Sequence, residues 1–265
     1  MGPGSPIGVF DSGVGGLSIL RALRAELPRE DFVYFSDAGH APYGEKGDGF
    51  VSQRSLAIAV DLLERHGIKA LVIACNTATA AAVHLVRAQH PALAVIGVEP
   101  ALKPAAALTR TGKVAVLATR GTLGSAKFRA LHASLQREAQ FMLQPCDGLA
   151  AAIEADDQEA VARLCRRYTS EVCCFGTQPG EIDTVVLGCT HYPFAADQFR
   201  AVLGPHVQLV ETGEPVARQT QRLLASGGLL NPDGEGRVQW LTTGSPAALL
   251  AAAERWLRLS ADCLT

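Results

Sequence analysis

A chain of 265 residues, 48% hydrophobic and 19% charged with a formal net charge of -2, has the balance of an ordinary globular protein and can fill one large domain or two smaller ones. That balance excludes a disordered or fibrous chain, and the near-neutral charge leaves no basic footprint for nucleic acid. No apolar stretch approaches the roughly 18–20 residues of a membrane span and no signal-type run opens the chain, so a cytoplasmic enzyme or binder is expected.

In chain order, Met1-Gly2-Pro3-Gly4-Ser5 reads as an artificial remnant ahead of the first strand and is set aside from fold reasoning. Strands are then expected at Ile7 to Phe10, Phe32 to Phe35, Ala70 to Ala74, Ala94 to Val98, Lys113 to Leu117, Thr184 to Leu187, Gln208 to Val210 and Val238 to Leu241. Between them lie helical stretches with one apolar face, as in Leu17, Leu20, Leu23, Leu27 and in Leu56, Ala59, Val60, Leu63. Thr77 and Ser125 are expected helix starts, and Pro193 suits a first helical turn.

Alternation of this kind predicts an α/β fold of βα units and mainly parallel sheets flanked by helices. The halves also echo each other, since Ile7-Gly8-Val9-Phe10-Asp11-Ser12-Gly13 can be laid on Val114-Ala115-Val116-Leu117-Ala118-Thr119-Arg120, a strand ending in a hydroxyl residue in both. The echo predicts two pseudo-symmetric domains, residues 6–99 with 213–265 and residues 100–212, with crossings near Glu99-Pro100 and at Thr212-Gly213-Glu214-Pro215. An active site is expected in the cleft between them, closed by hinge motion at the crossings.

Seven cysteines, an odd count without a secretory signal, argue for reduced thiols, and none of their spacings is a zinc pattern, so no metal is expected. Cys146, Cys165, Cys173, Cys174 and Cys263 read as inert, the last two of Cys165, Cys173 and Cys174 falling inside an expected helix. Cys75 and Cys189 differ. Val72-Ile73-Ala74-Cys75 and Val186-Leu187-Gly188-Cys189 share one pattern, a buried strand, a small residue and a thiol, followed by residues fit to start a helix. In open α/β sheets ligands sit beyond the carboxyl ends of the strands, and a thiol there meets unpaired N–H groups at the positive end of a helix, a setting that favours thiolate chemistry. Asn76, Thr77 and Thr190 add short hydrogen-bonding side chains suited to a small anion, and His191 follows directly on Cys189-Thr190.

The loop Asp11-Ser12-Gly13-Val14-Gly15-Gly16 resembles a dinucleotide fingerprint only in part, because position 18 is Ser18 where a glycine is required. Its glycines still allow a backbone to approach a small ligand closely, with Asp11 and Ser12 as an ammonium acceptor and a carboxylate donor. Pro42-Tyr43-Gly44 reads as a loop corner or a ligand-facing backbone.

Four blocks, Gly8 to Leu17, Pro42-Tyr43-Gly44, Ala74-Cys75-Asn76-Thr77-Ala78 and Leu187-Gly188-Cys189-Thr190-His191-Tyr192-Pro193, together resemble the bacterial glutamate racemases of the aspartate/glutamate racemase superfamily, in family order and spacing from Ile7 onward. The resemblance implies an isomerase that interconverts L- and D-glutamate without a cofactor, with Cys75 and Cys189 as acid/base residues on opposite faces of the α-carbon. Carried over by position, Asp11, Ser12, Pro42, Tyr43, Gly44, Asn76, Thr77, Thr190 and His191 bind substrate, and Asp11 and His191 assist proton transfer. Thr119 and the Arg120-Gly121-Thr122 segment resemble a carboxylate-holding block, giving Thr119 and Thr122. Glu154 falls near a family glutamate that assists the second cysteine, although Gly148-Leu149-Ala150-Ala151-Ala152-Ile153 lacks the prolines expected before it. The family also implies glutamate as the small-molecule partner, D-glutamate supply for peptidoglycan, and room for a homodimer. An aspartate racemase or related superfamily isomerase, a non-catalytic amino-acid-binding protein and a nucleotide-binding module are the competing readings.

Overall fold

The structure is a computed structural model that describes residues 2–172 and 174–257. Two compact units divide the chain, Met1–Val98 with Gly213–Thr265, and Glu99–Thr212. The first unit runs through β1 (Ile7–Asp11), α1 (Leu17–Glu26), β2 (Phe32–Ser36), α2 (Asp48–His66), β3 (Ala70–Ile73), α3 (Asn76–Gln89) and β4 (Ala94–Gly97). The second holds α4 (Leu102–Leu108), β5 (Lys113–Ala118), α5 (Arg120–Gly124), α6 (Ala126–Leu135), β6 (Gln140–Pro145), α7 (Leu149–Glu154), α8 (Gln158–Val172), β7 (Thr184–Leu187), α9 (Ala196–Leu203) and β8 (Gln208–Val210). The chain then returns to the first unit as α10 (Gly213–Ser226), β9 (Val238–Thr242) and α11 (Pro246–Leu257).

Each unit contains one sheet, ordered β4-β3-β1-β2-β9 in the first and β6-β5-β7-β8 in the second. Every pairing between these strands is parallel. Counted from its β8 edge, the second sheet runs β8-β7-β5-β6 and repeats the β4-β3-β1-β2 order of the first. The echo between Ile7–Asp11 and Lys113–Ala118 is therefore carried into topology: β1 and β5 hold equivalent positions, and each pairs with the strand that leads to a candidate thiol, β3 or β7.

Burial on both faces explains why the strands read as unbroken apolar runs. All residues of β1, β3 and β7 are buried. In the first unit, Phe10, Val33, Leu71 and Ile73 pack with Val51, Ile58 and Leu62 of α2 and Val83 and Val86 of α3. Val114, Val116 and Val186 pack with Ala105 of α4 and Phe128 and Leu135 of α6 in the second. Helix α2 stops at Gly67, whose φ of +59° is the left-handed conformation that glycine adopts without strain.

Four local expectations are revised. Strand β6 escaped the sequence reading because Gln140-Phe141-Met142-Leu143-Gln144-Pro145 has no β-branched residue and sits at a sheet edge, with Phe141 buried and Met142 and Leu143 exposed. Helix α3 begins at Asn76 rather than Thr77, because the Cys75 sulfur itself caps it, accepting from the Ala78 N–H at 3.4 Å. Cys174 is not helical: α8 ends at Val172 and Cys174 has a φ of +57°, while Cys173 and Cys263 lie outside the described residues. The opening segment set aside as an artificial remnant takes part in the fold, since the Pro3 carbonyl accepts from the buried Lys69 ammonium. Ser125 does start α6, accepting from the Phe128 N–H at 3.1 Å.

Candidate active site

In the first unit, the candidate residues gather where β1, β2 and β3 end. Asp11 is the last residue of β1 and is fully buried, its Oδ1 accepting from the Gly13 N–H at 2.7 Å. Cys75 follows β3 by two residues and its Sγ lies 3.6 Å from the Ser12 hydroxyl, so Ser12 accepts from the thiol. A glycine is needed at position 16, where a Cβ would come within 2.5 Å of the Asp11 Cβ. Asn76 is buried beside Cys75; its amide nitrogen donates to the Val98 carbonyl at 3.5 Å, and its Oδ1 has no hydrogen-bond partner among the described residues. Thr77, in the first turn of α3, is buried as well.

Tyr43 is buried, but its hydroxyl donates to Asp37 Oδ2 at 2.5 Å. The Tyr43 hydroxyl is thus engaged within the fold. Asp37 was missed by sequence reasoning. It directly follows β2, is fully buried, and also accepts from Arg54 Nη2 at 2.7 Å, Arg54 Nε at 3.1 Å and the Thr243 hydroxyl at 2.8 Å. Burial alone would raise its pKa; the hydrogen bonds from Arg54, Tyr43 and Thr243 outweigh it and hold the carboxyl below its ordinary value. The available signal was an acid immediately after a strand and a few residues ahead of Pro42-Tyr43-Gly44.

In the second unit, Cys189 follows β7 by two residues, as Cys75 follows β3. Its Sγ lies 3.8 Å from His191 Nδ1, and His191 Nε2 lies 2.7 Å from Glu154 Oε2, which places Glu154 at the end of a thiol, imidazole and carboxylate series. Burial would lower the His191 pKa, but the hydrogen bonds to Cys189 and Glu154 reverse this and carry it well above its ordinary value. The stability from this charged pairing is complete below the unfolded pKa of about 6.5 and fades as pH rises through the raised folded value. Glu154→Gln removes the carboxylate that holds the imidazole charged, so His191 should titrate at lower pH in this variant, as read by ring ¹³C and ¹⁵N shifts. An unchanged titration would refute the series.

The helix expected directly after Cys189 is a short 3-10 turn, Tyr192–Ala195, with α9 only behind it; Pro193 lacks an N–H, and the turn is closed by Tyr192 N–H on the Cys189 carbonyl and Phe194 N–H on the His191 carbonyl, both at 3.0 Å. Thr190 is buried in this turn region. Thr119 caps α5, its hydroxyl oxygen accepting from the Thr122 N–H at 3.2 Å and donating to the Thr122 hydroxyl at 3.0 Å, so both threonines stand at the carboxyl end of β5. Gly188 fixes the approach to Cys189, because a Cβ there would lie 2.9 Å from both the Leu117 carbonyl oxygen and the Ala118 Cβ. Gly188→Ala should cost about 1–3 kcal/mol through overpacking and displace the thiol, lowering both the melting temperature and turnover.

Cys146 and Cys165 are buried thiols with other surroundings. Burial pushes Cys146 up strongly and Cys165 to about 12, as expected of inert core thiols. Among the described residues, no group of three His, Cys, Asp or Glu side chains could hold a metal ion, and no helix is long and apolar enough to cross a membrane.

The Asp/Glu/Hydantoin racemase family model matches residues 14–220. The chain is 47% identical over 245 residues to a glutamate racemase of Herpetosiphon aurantiacus, a match covering 91% of this chain and 94% of the relative. Among solved structures, a glutamate racemase of Bacillus anthracis superposes with a TM-score of 0.83 at 32% identity, covering 97% of this chain and 95% of that one. The Escherichia coli glutamate racemase, solved with L-glutamate and the activator UDP-MurNAc-ala, gives 0.80 at 32% identity, covering 95% of each chain. With two equivalent strand-end thiols and matches of this extent, the chain belongs to the Asp/Glu/Hydantoin racemase family and falls among its glutamate racemases.

Proposed function

We propose that this protein interconverts L- and D-glutamate by proton transfer at the α-carbon, with Cys75 and Cys189 as the two acid/base groups and no cofactor. The observation that carries this reading is the pair of thiols at the carboxyl ends of equivalent strands in sheets of the same order, each with its own hydrogen-bonding partner. Inverting a stereocentre through a planar carbanion needs one proton to leave one face and another to arrive on the other. Two groups of like chemistry, one charged and one protonated, exchange these roles between the two directions.

Ser12, which directly follows the buried Asp11, stands beside Cys75, and His191 with Glu154 stands beside Cys189, so proton delivery is supported differently on the two sides. The α-proton is weakly acidic, and the developing carbanion needs preorganised donors around the substrate carboxylates. Ser12, Thr77, Thr119, Thr122 and Thr190 supply hydroxyls, and the start of the 14-residue α3 supplies N–H groups. The unpartnered Asn76 Oδ1 is an acceptor suited to the substrate ammonium. The reading extends to a cytoplasmic role in supplying D-glutamate for peptidoglycan.

Incubation with L-glutamate in deuterated water without added cofactor should yield D-glutamate labelled at the α-position, while aspartate run in parallel exchanges far more slowly. Absence of exchange from both glutamate enantiomers would sink the reading. Faster exchange with aspartate would replace glutamate by aspartate as the substrate.

A further inference from the structure

A recess lies in the first unit between α2 and the edge of the sheet formed by β2 and β9, and Cys75 is not among the residues that line it. It is a groove open to solvent, with a volume of about 460 Å³, lined by Arg54, Ile58, Asp61, Arg65 and His66 of α2 and by Phe35, Leu241 and Thr243 of the strand side. Arg54, Ile58, Asp61 and Arg65 are spaced by four, three and four residues and so form one stripe of the helix. Its lining mixes apolar side chains (Phe35, Ile58, Leu241) with two arginines, a histidine and one acid, Asp61; a second acid, Asp37, lies behind Arg54. Arg65 holds Asp61 only through an exposed ion pair at 3.1 Å, and His66 reaches Gln239 Oε1 at 3.2 Å on the surface. Neither contact stabilises much at such exposure, so both side chains are available to a stronger anionic ligand.

Arg54 connects this recess to the candidate active site. Its guanidinium lines the cavity and at the same time holds the fully buried Asp37 through Nε and Nη2. Asp37 in turn accepts from the Tyr43 hydroxyl, within the Pro42-Tyr43-Gly44 segment, and from Thr243, which is itself part of the cavity wall. Guanidinium groups bind carboxylates and phosphates alike, and an anion drawn to Arg54 competes with Asp37 for the same donors.

We propose that this recess is an effector site for a small organic anion, an apolar body bearing a phosphate or carboxylate, whose binding to Arg54, Arg65 and His66 loosens the Asp37 grip on Tyr43 and weakens substrate binding. The coupling rests on the racemase reading; the binding does not.

Phenyl phosphate, benzoate and inorganic phosphate serve as probes. Calorimetry on the full chain should show saturable one-to-one binding of phenyl phosphate or of benzoate, the tighter of the two naming the preferred anion, and weaker binding of inorganic phosphate, which lacks the apolar body. Binding should vanish in Arg65→Ala/His66→Ala and, independently, in Ala57→Trp, which fills the recess from an exposed position of α2. At saturation the preferred probe should raise KM for L-glutamate by about fivefold, the low end of allosteric coupling, with kcat little changed, and Arg65→Ala/His66→Ala should keep its basal KM and lose the response. No saturable binding of either organic probe, or binding that survives both variants, would overturn the site. Binding without a change in KM would overturn the coupling to Tyr43. If the protein turns over no glutamate at all, the racemase reading fails and calorimetry still decides the site.

Discussion

Cys75→Ala and Cys189→Ala should each abolish racemisation in both directions, with kcat/KM lowered by at least the roughly 100-fold to 10,000-fold that one general acid/base group contributes. The loss should be symmetrical even though the surroundings are not, because every turnover in either direction uses both thiols, one to remove the proton and one to supply it. A single variant retains one base. It should therefore still exchange the α-proton of one enantiomer for deuterium without inverting it, and the two variants should do so for opposite enantiomers. Chiral chromatography for inversion and proton NMR for exchange separate the outcomes. Normal racemisation by either variant would remove that cysteine from the chemistry. Both residues are small and lie at strand ends, so folding should survive, and a thermal melt checks that loss of turnover is not loss of structure.

The largest stability effect should come from Lys69→Met. The Lys69 ammonium and the Glu30 carboxylate are 2.5 Å apart, with side chains 0% and 2% exposed, so each depends on the other for compensation of its charge. Removing one partner of such a pair leaves an uncompensated buried charge and costs about 3–5 kcal/mol, a large share of the stability of a typical domain. The double variant Lys69→Met/Glu30→Gln should recover most of the loss, since the amide keeps an oxygen for the Asn231 N–H that Glu30 Oε1 now accepts at 2.8 Å. Urea midpoints of the two variants test this: equal destabilisation would show that lost packing, not stranded charge, governs the site.

Much of this was legible before the structure, for identifiable reasons. Parallel strands buried on both faces leave a strong apolar signature, and a small residue and a cysteine directly after such a run mark the position where α/β sheets place ligands. The equivalence of β1 and β5 was visible in seven aligned residues because each strand occupies the same place in its sheet. Asp37 was legible only as an acid directly after a strand, since its importance comes from Arg54, 17 residues on, and from Thr243, 206 residues on, which the fold brings to it. The cap on α3 was misread for a similar reason. Threonine is the commoner capping residue, and only the geometry shows the Cys75 sulfur meeting the Ala78 N–H. Strand β6 shows the opposite limit, where an edge position removes the burial that would have imposed a pattern.

Strand β9 completes the first sheet only after the whole second unit has been traversed: Thr243, one residue past it, bonds Asp37 across 206 residues of chain. During synthesis, residues 99–212 are therefore all available to one another before β2 can meet its outer neighbour. The inserted unit is the continuous one and can complete its contacts first, while the earlier-made sheet waits with the β2 edge uncovered and bears the slow, long-range closure. The order of maturation thus inverts the order of translation, and the period of greatest exposure to aggregation belongs to the half made first.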